Sequence, residues 1–213
     1  MRGMTLLKRV VTGEVSLRAL WYRIQEKLGS ESAAVNFIYA TETDPWSYTT
    51  SEYEQTKYVR TLAALPKARY RRVLEVACSI GVFTMLLAPR VDTLRGIDLS
   101  REAVRRARRR CEAAQNVTLQ QSGVLDYRAE QPFDLITCSE MLHYLWVKPE
   151  LPPLVCAHLK SLLAPGGHLV LVYGQDHFRF EYERDFQAHG FRVLKTEDYQ
   201  AAHRDYRITV LTV

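Results

Sequence analysis

Hydrophobic and polar residues alternate in blocks from residue 71 to the end of the chain. Short apolar runs predict buried strands, and longer stretches with helical periodicity predict helices between them. We expect strands over residues 72–77, 93–98, 117–121, 133–138, 168–173, 191–194 and 207–213. We expect helices over residues 82–89 and 101–114, after the fourth strand up to about residue 164, and near 179–189. This alternation predicts an α/β fold with a seven-stranded, mostly parallel sheet and helices on both faces. The last strand alternates polar and apolar residues, which suits an antiparallel strand near the edge.

The first 66 residues have a different pattern, which predicts a helical extension. An apolar stripe indicates a helix over residues 4–28, and residues 32–44 look like a less regular connection. Thr50 or Ser51 can cap a further helix, which ends at Pro66. We therefore expect one domain over residues 1–213, with residues 1–66 as a helical extension and lid and residues 67–213 as the core. The aromatic residues of the extension either pack in the core or cover a site.

A loop of small residues follows the first predicted strand. Val73, Leu74 and Val76 form the apolar run, and Ala77, Ser79 and Gly81 follow it. Small residues let a loop backbone approach a ligand closely. A carboxylate, Asp98, ends the second predicted strand, about 20 residues further on, where it can accept hydrogen bonds from two ribose hydroxyls. A small-residue loop combined with this acid indicates a nucleotide-binding, Rossmann-like core.

Composition and charge narrow the class of protein. The chain has 213 residues, 47% of them hydrophobic, and no apolar run near the roughly 20 residues that span a bilayer. Its N-terminus lacks a signal-peptide core, so we expect a cytoplasmic protein. The formal charge of +5 comes mostly from six arginines within residues 100–114. Val104, Ala107 and Cys111 share the opposite face of that predicted helix, so a solvated arginine face is favoured over a nucleic-acid footprint. The four cysteines and the histidines lack the spacing of metal ligands, and we predict no metal.

Several segments together have the pattern of a known family. Residues 73–81, 96–98, 133–136 and 162–170 together resemble the class I S-adenosylmethionine-dependent methyltransferases. Further motifs are Asp44-Pro45-Trp46, Tyr53-Glu54, Lys57-Tyr58, residues 65–70, 78–81 and 139–145, and with them the chain resembles more closely the NodS-like group. It spans about residues 44–175. The prototype of the group N-methylates the free glucosamine nitrogen of a chitooligosaccharide signal.

The resemblance implies S-adenosyl-L-methionine as the methyl donor and S-adenosyl-L-homocysteine as the product. It implies that Glu75 orders the loop and the methionine amine, that Asp98 holds the ribose diol and that Leu99 contacts adenine. The full set of implied cofactor residues is Glu75, Ala77, Ser79, Gly81, Asp98, Leu99, Ser122, Gly123, Val124 and Ser139.

Three positions depart from the family pattern. Ala77 and Ser79 stand where the family usually has glycine, which reduces freedom at positive φ. Gly123 stands where the family often has an aspartate that accepts a hydrogen bond from the adenine amine. Either backbone groups and a side chain such as Ser122 recognise adenine, or cofactor affinity is reduced. We expect Asp126 to lie just outside the pocket.

Candidate catalytic and acceptor-binding residues flank the loop after the fourth strand. His143 has a pKa suited to accepting a proton near neutral pH, and Glu140 competes for that role or binds a cationic amine. Trp46, Tyr48 and Tyr53 are the candidates to contact the acceptor from the lid.

We therefore expect a methyltransferase, N- or O-, for a small molecule such as an amino sugar or secondary metabolite, acting as a monomer or homodimer. The alternatives are an RNA or protein methyltransferase, a non-catalytic S-adenosylmethionine-binding module and, least favoured, a nicotinamide dehydrogenase.

Overall fold

The computed structural model describes residues 31–177 and 180–213, so the helix predicted over residues 4–28 lies outside the described residues. The helices are α1 Glu31–Thr41, α2 Glu52–Ala64, α3 Val82–Leu87, α4 Arg101–Arg110, α5 Leu142–Trp146, α6 Leu151–Leu162 and α7 Tyr182–Ala188. Short 3₁₀ turns cover Ala88–Arg90 and Gln175–His177. The strands are β1 Tyr70–Val76, β2 Val91–Asp98, β3 Val117–Gln121, β4 Phe133–Ser139, β5 Leu163–Gly174, β6 Arg192–Tyr199 and β7 Tyr206–Thr212.

The strands form one sheet with the order β3-β2-β1-β4-β5-β7-β6. Strands β1 to β5 pair in parallel, and β7 lies antiparallel between β5 and β6. The predicted α/β, Rossmann-like class, the strand count and the antiparallel last strand are confirmed. β5 begins five residues earlier than expected, at Leu163, because the chain around Pro165-Gly166-Gly167 forms an irregularity within the strand pairing with β4 rather than a separate turn.

The prediction of an irregular connection over residues 32–44 was wrong, because α1 occupies most of it. Ala34 and Ile38, one helical turn apart, are both buried together with Tyr39. The Asn36 side chain accepts hydrogen bonds from the Ser100 hydroxyl (2.9 Å) and the Glu102 amide (3.2 Å) at the start of α4. The i, i+4 spacing of Ala34 and Ile38 was the sequence signal for this helix.

Ser51 is the residue that caps α2. Its hydroxyl accepts a hydrogen bond from the Glu54 amide (3.4 Å), and the helix ends at Ala64, before Leu65 and Pro66. The expected cap and end of this helix are confirmed. α2 packs against β7, and Tyr58 of α2 and Tyr206 of β7 belong to one apolar cluster.

The amphipathic pattern of α4 is also confirmed, since Val104, Ala107 and Cys111 are all buried. Its arginines do more than face solvent. The Arg106 guanidinium donates to the carbonyls of Tyr39 (2.5 Å), Glu42 (2.7 Å) and Thr43 (2.8 Å), which end α1. Helix C-termini leave such carbonyls without partners, so Arg106 fastens α1 to the core.

The described part of the chain lacks two kinds of feature. No helix there is long and apolar enough to cross a membrane. The same residues contain no group of three or more His, Cys, Asp or Glu side chains placed to hold a metal ion.

Candidate active site

The candidate site lies where the strand order reverses, between β1 and β4. Ligands bind at the carboxyl ends of the strands at such a point in an open α/β sheet. A cavity opens there between the sheet, α2 and α3. Its lining residues are Tyr48, Glu54, Tyr58, Glu75, Val76, Ala77, Cys78, Ser79, Val82, Phe83, Thr137, Ser139 and Glu140.

The loop after β1 has an unusual backbone conformation. Ala77 (φ 59°), Ser79 (φ 52°) and Gly81 (φ 78°) all have positive φ. The left-handed region costs an L-residue about 1–2 kcal/mol. Ala77 and Ser79 therefore adopt the glycine-like conformation in spite of their side chains. Gly81 has a second constraint, because a Cβ there would lie 3.1 Å from both the Ala107 Cβ and the Cys111 Sγ in α4.

Asp98 holds this loop and the start of α4. One carboxylate oxygen accepts from the Ser79 amide (2.9 Å) and the other from the Ser100 amide (2.8 Å). Burial raises the pKa of Asp98 to about 6, although the two amide donors oppose that rise. A carboxylate has about four lone-pair sites, so each oxygen can still accept from a ligand hydroxyl.

Glu75 lines the cavity and has an unpartnered carboxylate oxygen. The side chain is buried, and its Oε2 has no hydrogen-bond partner among the described residues. Thr137, its register partner in β4, likewise has an unpartnered Oγ1. Burial raises the pKa of Glu75 to about 8, although the nearby Thr84 hydroxyl opposes that rise. Buried polar atoms are rarely left without partners, so this pair fits a ligand that donates hydrogen bonds, and a cationic one most of all.

The lid candidates separate into residues that reach the cavity and residues that support it. Tyr48 lines the cavity. Trp46 packs against Tyr39 (5.3 Å between ring centroids) and Tyr48 (5.9 Å). Tyr39 bonds in turn to the loop, with 2.6 Å between its hydroxyl and that of Ser79. Tyr53 points elsewhere, with its ring against Tyr206 (5.6 Å).

Glu140 lies at the cavity wall within a buried network of charges. Its Oε1 accepts from Lys57 Nζ (3.0 Å) and from Arg204 (2.5 Å), and its Oε2 accepts from the Gly174 amide (3.3 Å). Burial would raise the pKa of Glu140, but the charges of Lys57 and Arg204 outweigh that effect and hold the pKa well below its usual range. A carboxylate held in this way is a weak base.

His143 lies in the first turn of α5, near the same network. Its ring contacts that of Tyr144, with 4.0 Å between centroids, and its charge contributes to lowering the pKa of Glu140. It does not belong to the lining of the described cavity.

The segment expected to recognise adenine lies next to Asp98. The Ser122 amide donates to the Asp98 carbonyl (2.9 Å). The side chain of Val124 is buried in the hydrophobic core. A Cβ added to Gly123 would lie 2.8 Å from Asp126 Oδ2 and 3.6 Å from the Leu99 side chain. The Asp126 carboxylate therefore occupies the space beside Gly123 into which a side chain at that position would extend.

Several residues of the site were missed from the sequence. Glu54, Tyr58, Phe83 and Thr137 line the cavity, while Lys57 and Arg204 bind Glu140. The register of Thr137 with Glu75 could have been anticipated from the strand assignments. Arg204 had no local signal, since it is 64 residues away from its partner.

Comparisons with known proteins agree with this geometry. The sequence profile of the family described as nodulation protein S (NodS) matches residues 39–199. Nodulation protein S of Rhizobium tropici is 36% identical over 134 residues, which are 62% of this chain and 56% of that protein. The ubiquinone biosynthesis O-methyltransferase of Xanthomonas campestris pv. campestris is 38% identical over 117 residues, 54% of this chain and 46% of that protein.

A solved structure shows the same fold. The N-methyltransferase NodS from Bradyrhizobium japonicum WM9, in complex with S-adenosyl-L-homocysteine, superposes with a TM-score of 0.73 at 23% identity. The match covers 83% of this chain and 98% of that one. The fold is thus the Rossmann-like fold of the methyltransferases. The profile match extends over most of the chain, and the chain belongs to the NodS family. It matches only 56%, 59% and 64% of the length of three curated nodulation S proteins.

Proposed function

We propose that the protein is an S-adenosylmethionine-dependent methyltransferase that acts on an amine or hydroxyl of a small molecule, such as an amino sugar or secondary metabolite. The observation that carries the proposal is the unpartnered, buried carboxylate oxygen of Glu75 beside the loop of residues 77–81. The similarity to NodS from Bradyrhizobium japonicum WM9, which is an N-methyltransferase, supports the proposal. Bound S-adenosylmethionine would supply a methyl group on a positively charged sulfur.

The residues in and next to the cavity suit the parts of this cofactor. Glu75 and Thr137 would accept hydrogen bonds from its ammonium group. Asp98 would use its remaining lone pairs for the ribose hydroxyls. Ala77, Ser79 and Gly81 would face the methionine part at close range, with Ser139 across from them, and Leu99 would contact adenine.

We further propose that Asp126 replaces the aspartate that is missing at position 123. The closeness of its Oδ2 to the Gly123 backbone supports a carboxylate acceptor for the adenine amine at that place. Ser122, Gly123 and Val124 would then contribute mainly backbone groups. In this proposal, Asp126 belongs to the pocket rather than lying outside it.

Asp126→Asn tests this assignment. We expect the dissociation constant of S-adenosylmethionine to rise about tenfold, since a hydrogen bond to a charged group contributes about 1.5–3 kcal/mol and this one is exposed. Titration calorimetry measures the change, with Asp92→Asn on the exposed end of β2 as the control. An unchanged dissociation constant in Asp126→Asn would contradict this assignment and would mean that backbone groups and Ser122 recognise adenine.

The acceptor would approach from the side of α2 and the lid. We propose that residues 31–66 form that lid, with Tyr48 next to the acceptor and Trp46 and Tyr53 behind it. His143 remains a candidate base, whereas the ion pairs of Glu140 favour an electrostatic role. The main-chain bonds of Arg106 favour a small-molecule acceptor over a nucleic acid. We also propose a cytoplasmic location and a monomeric or dimeric state.

Calorimetric titration of the purified protein with S-adenosylmethionine and S-adenosylhomocysteine tests the proposed function. We expect micromolar binding of both, and loss of at least tenfold in affinity in Asp98→Asn, which keeps a partner for one of the two loop amides. Transfer of the labelled methyl group from the cofactor to an amino sugar would then be measured as the mass of the product. A folded protein that binds neither compound would contradict the proposal.

A further inference from the structure

Glu54, on the first turn of α2, lines the cavity and takes no part in the proposed cofactor contacts. The residue is 9% exposed and lines the cavity together with Glu75, Ser79 and Glu140. Its Oε1 accepts from Lys57 Nζ (2.9 Å), whereas its Oε2 has no hydrogen-bond partner among the described residues. A buried carboxylate oxygen without a donor, on a residue that lines a cavity, is a position for a donor from the ligand.

The charges around Glu54 leave that oxygen available. Lys57, which is 1% exposed, donates to Glu54 and to Glu140, and Arg204 donates to Glu140 as well. The four side chains contain two carboxylates and two cations, so the group is electrically balanced. Glu140 has both oxygens occupied, and Glu75 stands next to the loop that would hold the cofactor. Glu54 is therefore the cavity carboxylate that remains for an acceptor.

We propose that Glu54 is a catalytic residue that accepts a hydrogen bond from the acceptor amine and takes its proton before methyl transfer. Lys57 acts as a positioning residue, since it fixes the other oxygen of the same carboxylate. The inference rests on the proposed methyltransferase function.

The step balances in atoms and charge. The ammonium form of the acceptor gives one proton to the Glu54 carboxylate and becomes a neutral amine with a lone pair. The nitrogen attacks the methyl carbon, a nitrogen–carbon bond forms, and the carbon–sulfur bond breaks with its electron pair moving to sulfur. The cofactor leaves as a neutral thioether, the product is a methylated ammonium, and the Glu54 carboxyl group returns its proton to solvent.

The strength of this base suits an amine better than an alkyl hydroxyl. An alkylammonium has a pKa of about 10, like that of lysine, and a nearby sulfonium charge disfavours it further. A neutral oxygen acid such as water has a far higher pKa, beyond the reach of a carboxylate base. Burial raises the pKa of Glu54 above its ordinary value, against the opposing charge of Lys57.

The groups that face Glu54 come from every neighbouring element. Lys57 and Tyr58 belong to α2, Tyr48 to the lid and Glu140 to the end of β4, and Arg204 precedes β7. Burial raises the pKa of Tyr48 and of Tyr58 well above the physiological range, so both phenols stay neutral. Neither tyrosine competes with Glu54 as a base near neutral pH.

The variant Glu54→Gln keeps an oxygen for Lys57 and removes the base. We expect kcat for N-methylation of a glucosamine trimer to fall at least 100-fold, the range of general base catalysis. We expect the calorimetric dissociation constant of S-adenosylmethionine to stay within twofold. The remaining activity should rise with pH as the free amine forms in solution, and it should level off once the amine is fully deprotonated. Glu52→Gln, on the exposed face of the same helix, is the matched control.

The outcomes separate this inference from the proposed function. An N-acetylglucosamine trimer has the same hydroxyls without the free amine, and we expect no methylation of it. O-methylation of both trimers, or transfer to the amine with unchanged kcat in Glu54→Gln, would overturn the role of Glu54 while the methyltransferase function stands. So would cofactor binding with no methylation of the glucosamine trimer. Absence of cofactor binding in the unaltered protein would instead remove the proposed function.

Discussion

Glu75→Gln is expected to weaken cofactor binding and to stabilise the cofactor-free protein at alkaline pH. A charge-assisted hydrogen bond contributes about 1.5–3 kcal/mol, so losing it should raise the dissociation constant of S-adenosylmethionine about 10- to 150-fold. The same change removes a carboxylate that is buried without a partner for Oε2. We expect the free energy of unfolding at pH 8 to increase by about 3 kcal/mol. The melting temperature should then rise by about 6–12 °C.

The sign of the pH dependence follows from the raised pKa of Glu75. The carboxyl group titrates near 4.5 when unfolded and at about 8 in the folded, cofactor-free protein. Between these values the folded state holds a proton that the unfolded state has lost, so stability decreases as pH rises. Glu75→Gln should therefore match the unaltered protein at pH 5 and exceed it at pH 8.

Cofactor binding should have the opposite pH dependence. The ammonium group of S-adenosylmethionine favours the ionised form of Glu75, so binding releases a proton below pH 8. Affinity should increase by up to about tenfold per pH unit from pH 6.5 until the α-amino group itself loses its proton, at about 7.7–8.0. Calorimetry in two buffers of different ionisation enthalpy measures that proton. Equal affinities at pH 6.5 and 8, or unchanged binding in Glu75→Gln with Glu112→Gln as the control, would contradict the assignment.

The part of the cavity that we propose for the cofactor could be located from the sequence because its signals are local. Glu75, Ala77, Ser79 and Gly81 are close in the chain, and the strand pattern places Asp98 beside them in the register of β1 with β2. The same locality explains why the sheet and the antiparallel β7 were predicted. Gly123 was recognised as a departure, but the position of the Asp126 carboxylate depends on how the turn after β3 folds back.

The acceptor side could not be predicted because its contacts are distant in sequence. Lys57 and Glu140 are 83 residues apart, and Arg204 is outside the segment that matches the family profile. Glu54 and Lys57 have the spacing of an ordinary surface ion pair on a helix. Their burial depends on the packing of α2 against β7 and α3 and on the ion pair of Lys57 with Glu140. Buried charge pairs of this kind can be recognised only from the folded structure.

Lys57→Met is expected to destabilise the protein more than any surface substitution. Lys57 is 1% exposed and neutralises both Glu54 and Glu140, so its removal leaves one carboxylate without a cation. Removing one partner of a buried ion pair costs about 3–5 kcal/mol. The melting temperature at pH 8 should fall by about 6–20 °C.

This loss should depend on pH and on Glu54. In Lys57→Met the free carboxylate of Glu54 is expected to take up a proton, so the loss should shrink as pH falls towards 5. The double variant Lys57→Met/Glu54→Gln should regain about 0.5–3 kcal/mol relative to the sum of the single effects. Thermal unfolding followed by circular dichroism measures these values, with exposed Lys67→Met as the control. A loss below about 1 kcal/mol, equal at pH 5 and pH 8, would mean that Lys57 behaves as a surface residue and that Glu54 is not held for catalysis.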